Sequence, residues 1–128
     1  MIMRAKQEGQ TIIFELEGHL DFETTQQFKN TCTQLIQNQK SPRVIFNLEK
    51  LKFVGSSGIN QFIEIMKDFN NKKVMKPKPK FCHLSTEFER VFKAYQTTRN
   101  PFEIFDSENA ANEAFDTPTK RGRKPKSN

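Results

Sequence analysis

Few residues in this 128-residue chain combine a reactive type with a suggestive spacing, and the densest group is Gly55-Ser56-Ser57-Gly58. Two hydroxyls lie between two glycines where a short apolar run, Val44–Leu48, gives way to an amphipathic one. A strand's carboxyl end meeting a helix start leaves unpaired N–H groups and the positive end of the helix dipole facing one point, which favours an anion. Ligands of open parallel sheets also gather at that edge. Two readings stand: Ser56 or Ser57 caps the helix while the glycines supply turn geometry, or the hydroxyls face a ligand or partner. A phosphate-cradling loop does not fit, because no Lys-Ser/Thr follows and the turn is too short. A hydrolase elbow needs Gly-x-Ser-x-Gly, and this turn is one residue short of it.

The other reactive types are scattered. His19 sits in a turn before Asp21, and His83 reads as a packed residue within a strand beside Cys82. Cys32 and Cys82 match no metal spacing and read as buried free thiols, which fits a reducing cytosol. No catalytic set, metal site or cofactor motif emerges, so the expectation is a protein that is not an enzyme and needs no cofactor. No apolar run approaches the roughly 18–20 residues of a membrane span, and the first residues lack a signal peptide's apolar core. A soluble cytoplasmic protein is expected.

Charge is distributed in blocks. Of 21 basic residues, five lie in Lys120–Lys126 and five more in Lys72–Lys80, neither run holding an acid. Elsewhere eleven bases face all 15 acids, so the body is mildly acidic and the net +6 does not make it a nucleic-acid binder. Lys72–Lys80, with prolines alternating among lysines, reads as an extended, solvated connection.

The elements that must position the central turn follow from periodicity. Ile2–Lys6 and Thr11–Glu17 read as strands joined by a turn at Glu8-Gly9-Gln10. Asp21 caps a helix with Phe22, Phe28, Cys32, Leu35 and Ile36 on its apolar face, ending near Asn38 before Ser41-Pro42. Val44–Leu48 is a strand of the doubly buried kind. Ile59, Phe62, Ile63, Met66 and Phe69 fall on one face of a helix. Phe81–Leu84 is a short strand, and Thr86 with Glu89 forms a capping box for a helix through Phe88, Val91, Phe92 and Tyr95. Phe102–Phe105 is a last strand, and Asp106 or Ser107 caps a terminal helix through Phe115. Strands alternating with helices predict an α/β fold with a mostly parallel sheet.

Asn47-Leu-Glu-Lys-Leu-Lys-Phe-Val-Gly-Ser-Ser-Gly-Ile59 resembles the Asp-Ser-Ser/Thr-Gly-Leu/Ile turn of STAS domains, the anti-sigma factor antagonist family. It departs at Gly55, where the family has Asp. Leu16-Glu-Gly-His-Leu-Asp21 resembles the end of the family's second strand, and Val91-Phe92 with Phe102–Ala110 its closing helix, strand and helix. The resemblance covers about residues 1–116 as one domain. It implies a sheet of four to five strands flanked by about four helices. It also implies a bacterial regulator of transcription that binds an anti-sigma factor/serine kinase through Gly55, Ser56, Ser57, Gly58 and Ile59, with Asp21 nearby. Ser56, the first hydroxyl, is the implied phosphorylation site, and modification would block docking. Without a carboxylate at position 55, a constitutive, non-phosphorylated subunit of a larger assembly, such as a lipid-transport complex or signalling particle, stands beside the switch.

From Thr117 onward no apolar period remains, and residues 117–128 are expected to be a disordered basic tail. Lys120-Arg121-Gly122-Arg123-Lys124-Pro125-Lys126 resembles an AT-hook, with Lys124 interrupting the Arg-Gly-Arg-Pro core. A glycine between arginines lies flat in an A·T-rich minor groove while lysines neutralise phosphates. A DNA-associated adaptor is therefore the alternative function, and a merely solvated terminus the bland one.

Overall fold

The computed structural model describes residues 1–52, 58–71, 73 and 75–116. Nine elements follow in order: β1 (Ile2–Glu8), β2 (Thr11–His19), α1 (Phe22–Gln37), β3 (Arg43–Lys52), α2 (Ile59–Phe69), β4 (Lys80–Cys82), α3 (Thr86–Tyr95), β5 (Glu103–Phe105) and α4 (Glu108–Asp116). The strands lie side by side in sequence order. The β1–β2 hairpin is antiparallel and the other pairings are parallel, as the strand–helix alternation requires. The mixed α/β architecture expected from the sequence is the one found.

The sheet's alternation divides the core. One face carries Ile12, Phe14, Leu16, Val44, Phe46, Leu48 and Phe81, packed under α1, α2 and α3 in one large cluster. The other carries Ile13, Ile45 and Cys82, which pack against Ala111 of α4 with Phe105 and Phe115 at the margin. Phe14, Phe46 and Phe81 stack across three neighbouring strands with centroids 5.5 Å apart at each step.

Several expectations need correction. The strand read as Val44–Leu48 continues to Lys52. A bulge between Glu15/Glu17 and Asn47/Lys50 inserts one extra β3 residue, which returns Leu51 to the core and breaks the period-two pattern. In α1, Phe22 is 66% exposed and Leu35 37%, while Thr25 is buried because its hydroxyl donates to the Asp21 carbonyl. Six residues at 100° each put Phe22 about 120° from Phe28 around the helix. The cap of α3 is Ser85, whose Oγ accepts from Phe88 N at 3.2 Å, so the box expected from Thr86 and Glu89 does not form. His83 lies just past β4 with φ 57°, outside any strand.

The Lys72–Lys80 connection is the largest departure. Lys80 belongs to β4 and is buried, and Met75 enters the core. Lys80 Nζ binds Glu103, and Lys78 Nζ reaches Glu103 at 3.8 Å and the Pro101 carbonyl at 2.8 Å. The later part of the expected solvated run is therefore tied to β5 and the loop before it.

Candidate functional site

All four helices begin at the carboxyl edge of the parallel strands, and the candidate site lies where α1 and α2 start side by side. Asp21 caps α1: its Oδ1 accepts from Thr24 N at 2.9 Å and its carbonyl from Thr25 N at 3.1 Å. Oδ2 lies 3.6 Å from the Met1 amine. The bond from the Thr24 backbone, then the Thr24 side chain and the amine, hold the Asp21 carboxyl below its ordinary range.

Gly58 is the N-cap of α2, with φ 81° and no side-chain cap. A β-carbon there would stand 3.3 to 3.5 Å from the backbone of Asp21. Glycine is needed twice over, for the left-handed conformation and for the close approach of one helix start to the other. The first turn of α2 holds no acidic residue, so the helix's positive end is not compensated from within that turn.

Of the site residues expected from the sequence, Asp21 and Gly58 are brought together. Ile59 is 7% exposed and faces the core, where it anchors the start of α2. Gly55, Ser56 and Ser57 lie outside the described residues, as do Lys120, Arg121, Gly122, Arg123, Lys124 and Lys126 of the tail. Sequence reasoning missed Phe22, an exposed ring directly after Asp21. It also missed the polar seam between the helices, where Gln61 Nε2 donates to Gln26 Oε1 at 3.1 Å, and the Tyr95 hydroxyl, which donates to Asn60 Oδ1 at 2.7 Å. The 120° offset of Phe22 from Phe28 was the available signal.

The family model of the STAS domain matches residues 3–111. The chain belongs to the STAS domain family. Solved structures agree in fold. The unphosphorylated anti-sigma factor antagonist SpoIIAA aligns at 20% identity and TM-score 0.60, over 90% of this chain and 96% of that one. The phosphorylated form of the Bacillus cell fate determinant SpoIIAA aligns at 20% identity and TM-score 0.62, over 89% and 99%. An anti-sigma-factor antagonist (STAS) domain protein from Planctomyces limnophilus aligns at 20% identity and TM-score 0.68, over 88% and 95%. Among the described residues of this STAS domain, no helix is long and apolar enough to cross a membrane, and no group of three or more His, Cys, Asp or Glu could hold a metal ion.

Proposed function

We infer that this STAS domain, spanning residues 1–116 ahead of a basic tail, is a regulatory protein-binding module of the bacterial cytoplasm. It docks an anti-sigma factor/serine kinase or a comparable regulator of transcription through residues 55–59 and α2. The observation that carries the reading is the seating of Gly58 on the Asp21 backbone, which fixes the α2 start at the carboxyl edge beside the exposed Phe22. Ser56 is the modification site in this reading. A phosphate there adds about −1.5 to −2 charge. The uncapped start of α2 accommodates that charge within the domain, while a partner brought against it meets a desolvated dianion. Phosphorylation thus releases the partner without unfolding the domain. The module has no turnover of its own.

The test is affinity capture from the native host with wild-type, Ser56→Ala, Ser56→Asp and Phe22→Ala baits, combined with phosphopeptide mapping of the protein from growing cells. A serine kinase retained by wild type and Ser56→Ala, lost by Ser56→Asp and weakened by Phe22→Ala is the expected pattern. If Ser56→Asp keeps the same partners, the charge switch is wrong. A Ser56 that is never phosphorylated, with partners still bound, leaves a constitutive module.

A further inference from the structure

The amino edge of the parallel strands, where α2 and α3 end, holds a feature that partner docking does not use. A cleft of about 330 Å³ lies there, walled by Glu64 and Asp68 of α2, Asn70 just after it, Tyr95 at the end of α3, and Asn100 and Phe102 ahead of β5. That volume is at the small end of the range for ligand sites. Asn70 is 1% exposed, and its Nδ2 donates to the carbonyls of Asn100 and Pro101 at 3.4 and 3.2 Å. Asn100 Nδ2 returns a bond to the Asn70 carbonyl at 3.1 Å. Only the N–H half of an amide can serve a carbonyl, so both side chains are oriented by this clamp. Neither Oδ1 has a donor among the described residues, although both are closed to solvent. Buried acceptors in that state are rare, and the clamp does not account for them: it needs two donors and leaves both acceptors over.

The rest of the wall has the same sign. Its charged side chains are Glu64 and Asp68 against Lys67. Each carboxylate has a lysine no nearer than 3.7 Å, Lys67 for Glu64 and Lys29 for Asp68, which is beyond hydrogen-bond range. α2 ends at Phe69 and α3 at Tyr95, so the negative ends of two helix dipoles border one space. Tyr95 and Phe102 add ring surface, and the Tyr95 ring is held by its hydroxyl's bond to Asn60. Acceptors, carboxylates and helix carbonyl ends refuse an anion. They favour a cation rich in N–H groups, and the rings favour a flat one. A guanidinium carries five N–H donors in a plane and stacks on aromatic faces, whereas an ammonium is a compact charge with three.

We propose that this cleft binds a guanidinium group, whose N–H groups donate to Asn70 Oδ1 and Asn100 Oδ1 and whose charge is balanced by Glu64 and Asp68. Because both oxygens are closed to solvent, entry of the ligand requires the Asn70–Asn100 clamp to part slightly. The side-chain amide signals of the two residues report that movement. Two sources carry the chemistry, a free alkylguanidine and an arginine side chain of a partner. The cleft uses none of residues 55–59, so its fate is separate from that of the docking reading.

The test is calorimetric titration of the full chain with n-butylguanidinium, n-butylammonium, and capped Gly-Arg-Gly and Gly-Lys-Gly peptides, with the Asn70 and Asn100 side-chain amides followed by NMR. n-Butylguanidinium or the arginine peptide is expected to bind saturably, more tightly than its ammonium counterpart, and to move both amide signals. Binding of the small compound without the peptide assigns a free ligand, and the reverse assigns an arginine of a partner. Asn100→Ala removes one acceptor and should weaken binding about ten- to a hundredfold, the usual worth of a hydrogen bond to a charged group. Asn100→Asp loses the same Nδ2 but keeps an oxygen there, and should bind at least as tightly as wild type. A merely structural clamp is damaged alike by both. Glu64→Gln and Asp68→Asn, at exposed positions, leave the clamp intact, and each should weaken binding about two- to fivefold. Circular dichroism checks that every variant folds. Saturable binding of neither guanidinium, equal affinity for the ammonium probes, or equal loss in Asn100→Ala and Asn100→Asp overturns the proposal and leaves ordered water as the oxygens' only partner.

Discussion

Ile45 and Phe46 are neighbours in β3 whose side chains point to opposite faces of the sheet, and they enter two different kinds of interior. Phe46 lies with its ring centroid 5.5 Å from Phe14 and Phe81, 5.7 Å from Phe69 and 6.0 Å from Phe28, under three helices. Ile45 meets a single helix, α4, in a small cluster with Ile13, Cys82 and Ala111. Around that cluster the second face is held by polar ties. Thr11 Oγ1 donates to Asn112 Oδ1 at 2.8 Å, and Asn47 Nδ2 to Glu108 Oε2 at 2.6 Å. Lys80 sits under the Phe115 ring, 4.5 Å from its centroid, while bound to Glu103. The first face gains from area and ring packing, and the second from directed bonds and charge. The two should therefore fail under different perturbations.

The largest expected effect is on the aromatic face. Phe46→Ala removes the ring at the centre of the stack and should cost about 3–5 kcal/mol, against the lower part of the range of about 2–5 kcal/mol for Ile45→Ala on the other face. Urea unfolding of both variants measures the difference. Equal costs would mean that α4 is packed as tightly as the other three helices.

On the second face the vulnerable point is the buried cation. Glu103→Gln leaves Lys80, 7% exposed, without its carboxylate. That should cost about 1–3 kcal/mol. Adding Lys80→Met to Glu103→Gln should recover most of it, because an apolar side chain of similar length suits the Phe105–Phe115 setting. If the double variant is no more stable than the single one, the loss came from Lys78 rather than from Lys80.

Gly58→Ala probes the place where α1 and α2 start side by side. A left-handed backbone costs an alanine about 1–2 kcal/mol, and its methyl would press on Asp21. Thermal melts should show that loss, and a partner captured by the wild-type domain should be weakened, since α2 and α1 can no longer start so close together. Unchanged capture would uncouple the Gly58–Asp21 contact from docking.

The contrast between the faces also explains what the sequence disclosed. The main stripe of α2 was legible: Ile59, Phe62, Ile63, Met66 and Phe69 are all buried, because an amphipathic helix on an aromatic core needs only a period, while Ile65, buried as well, fell outside the expected set. The family resemblance rested on the run into that helix, Asn47–Ile59, with Leu16–Asp21, Val91-Phe92 and Phe102–Ala110 beside it. Lys80 was not legible, because its partner Glu103 lies 23 residues away and a lysine among prolines looks solvated. Asn47 was equally obscure. It stands in an apolar strand, accepts from Glu49 N at the bulge and binds the start of α4, and neither role has a local signature. Of the site, the strand–turn–helix order was readable. The seating of Gly58 on Asp21 was not, since it joins two turns that only the fold brings together.

Acid should weaken the second face through Glu108. Burial pushes its carboxyl up, but the Asn47 amide and the Lys6 ammonium, 3.4 Å away, outweigh that and hold it below the ordinary 4.5. A depressed folded value means that the contribution is complete above about pH 4.5 and is lost as pH falls through the folded value. Glu17 and Asp21, also depressed, act in the same direction. In Asn47→Ala the Glu108 carboxyl should titrate at higher pH, read from its side-chain carbon shift. An unmoved titration would assign the depression to Lys6 and Glu15 instead.

The smallest effect concerns the thiols, one on each face. Cys32, on the inner face of α1, is buried beside Met3, where desolvation pushes its thiol well above the usual range. Cys82 faces α4, where burial first, and then the negative charges of Glu108, Glu49 and Glu15, push it up to about 12. Thiolate is the reactive form, so both should resist iodoacetamide at neutral pH in the native protein and react at once in denaturant. The faces predict an order on partial destabilisation. Cys82, covered by one nine-residue helix, should be labelled first when α4 loosens, and Cys32 only with global unfolding. Simultaneous labelling at low denaturant would show that the two faces open as one cooperative unit despite their different chemistry.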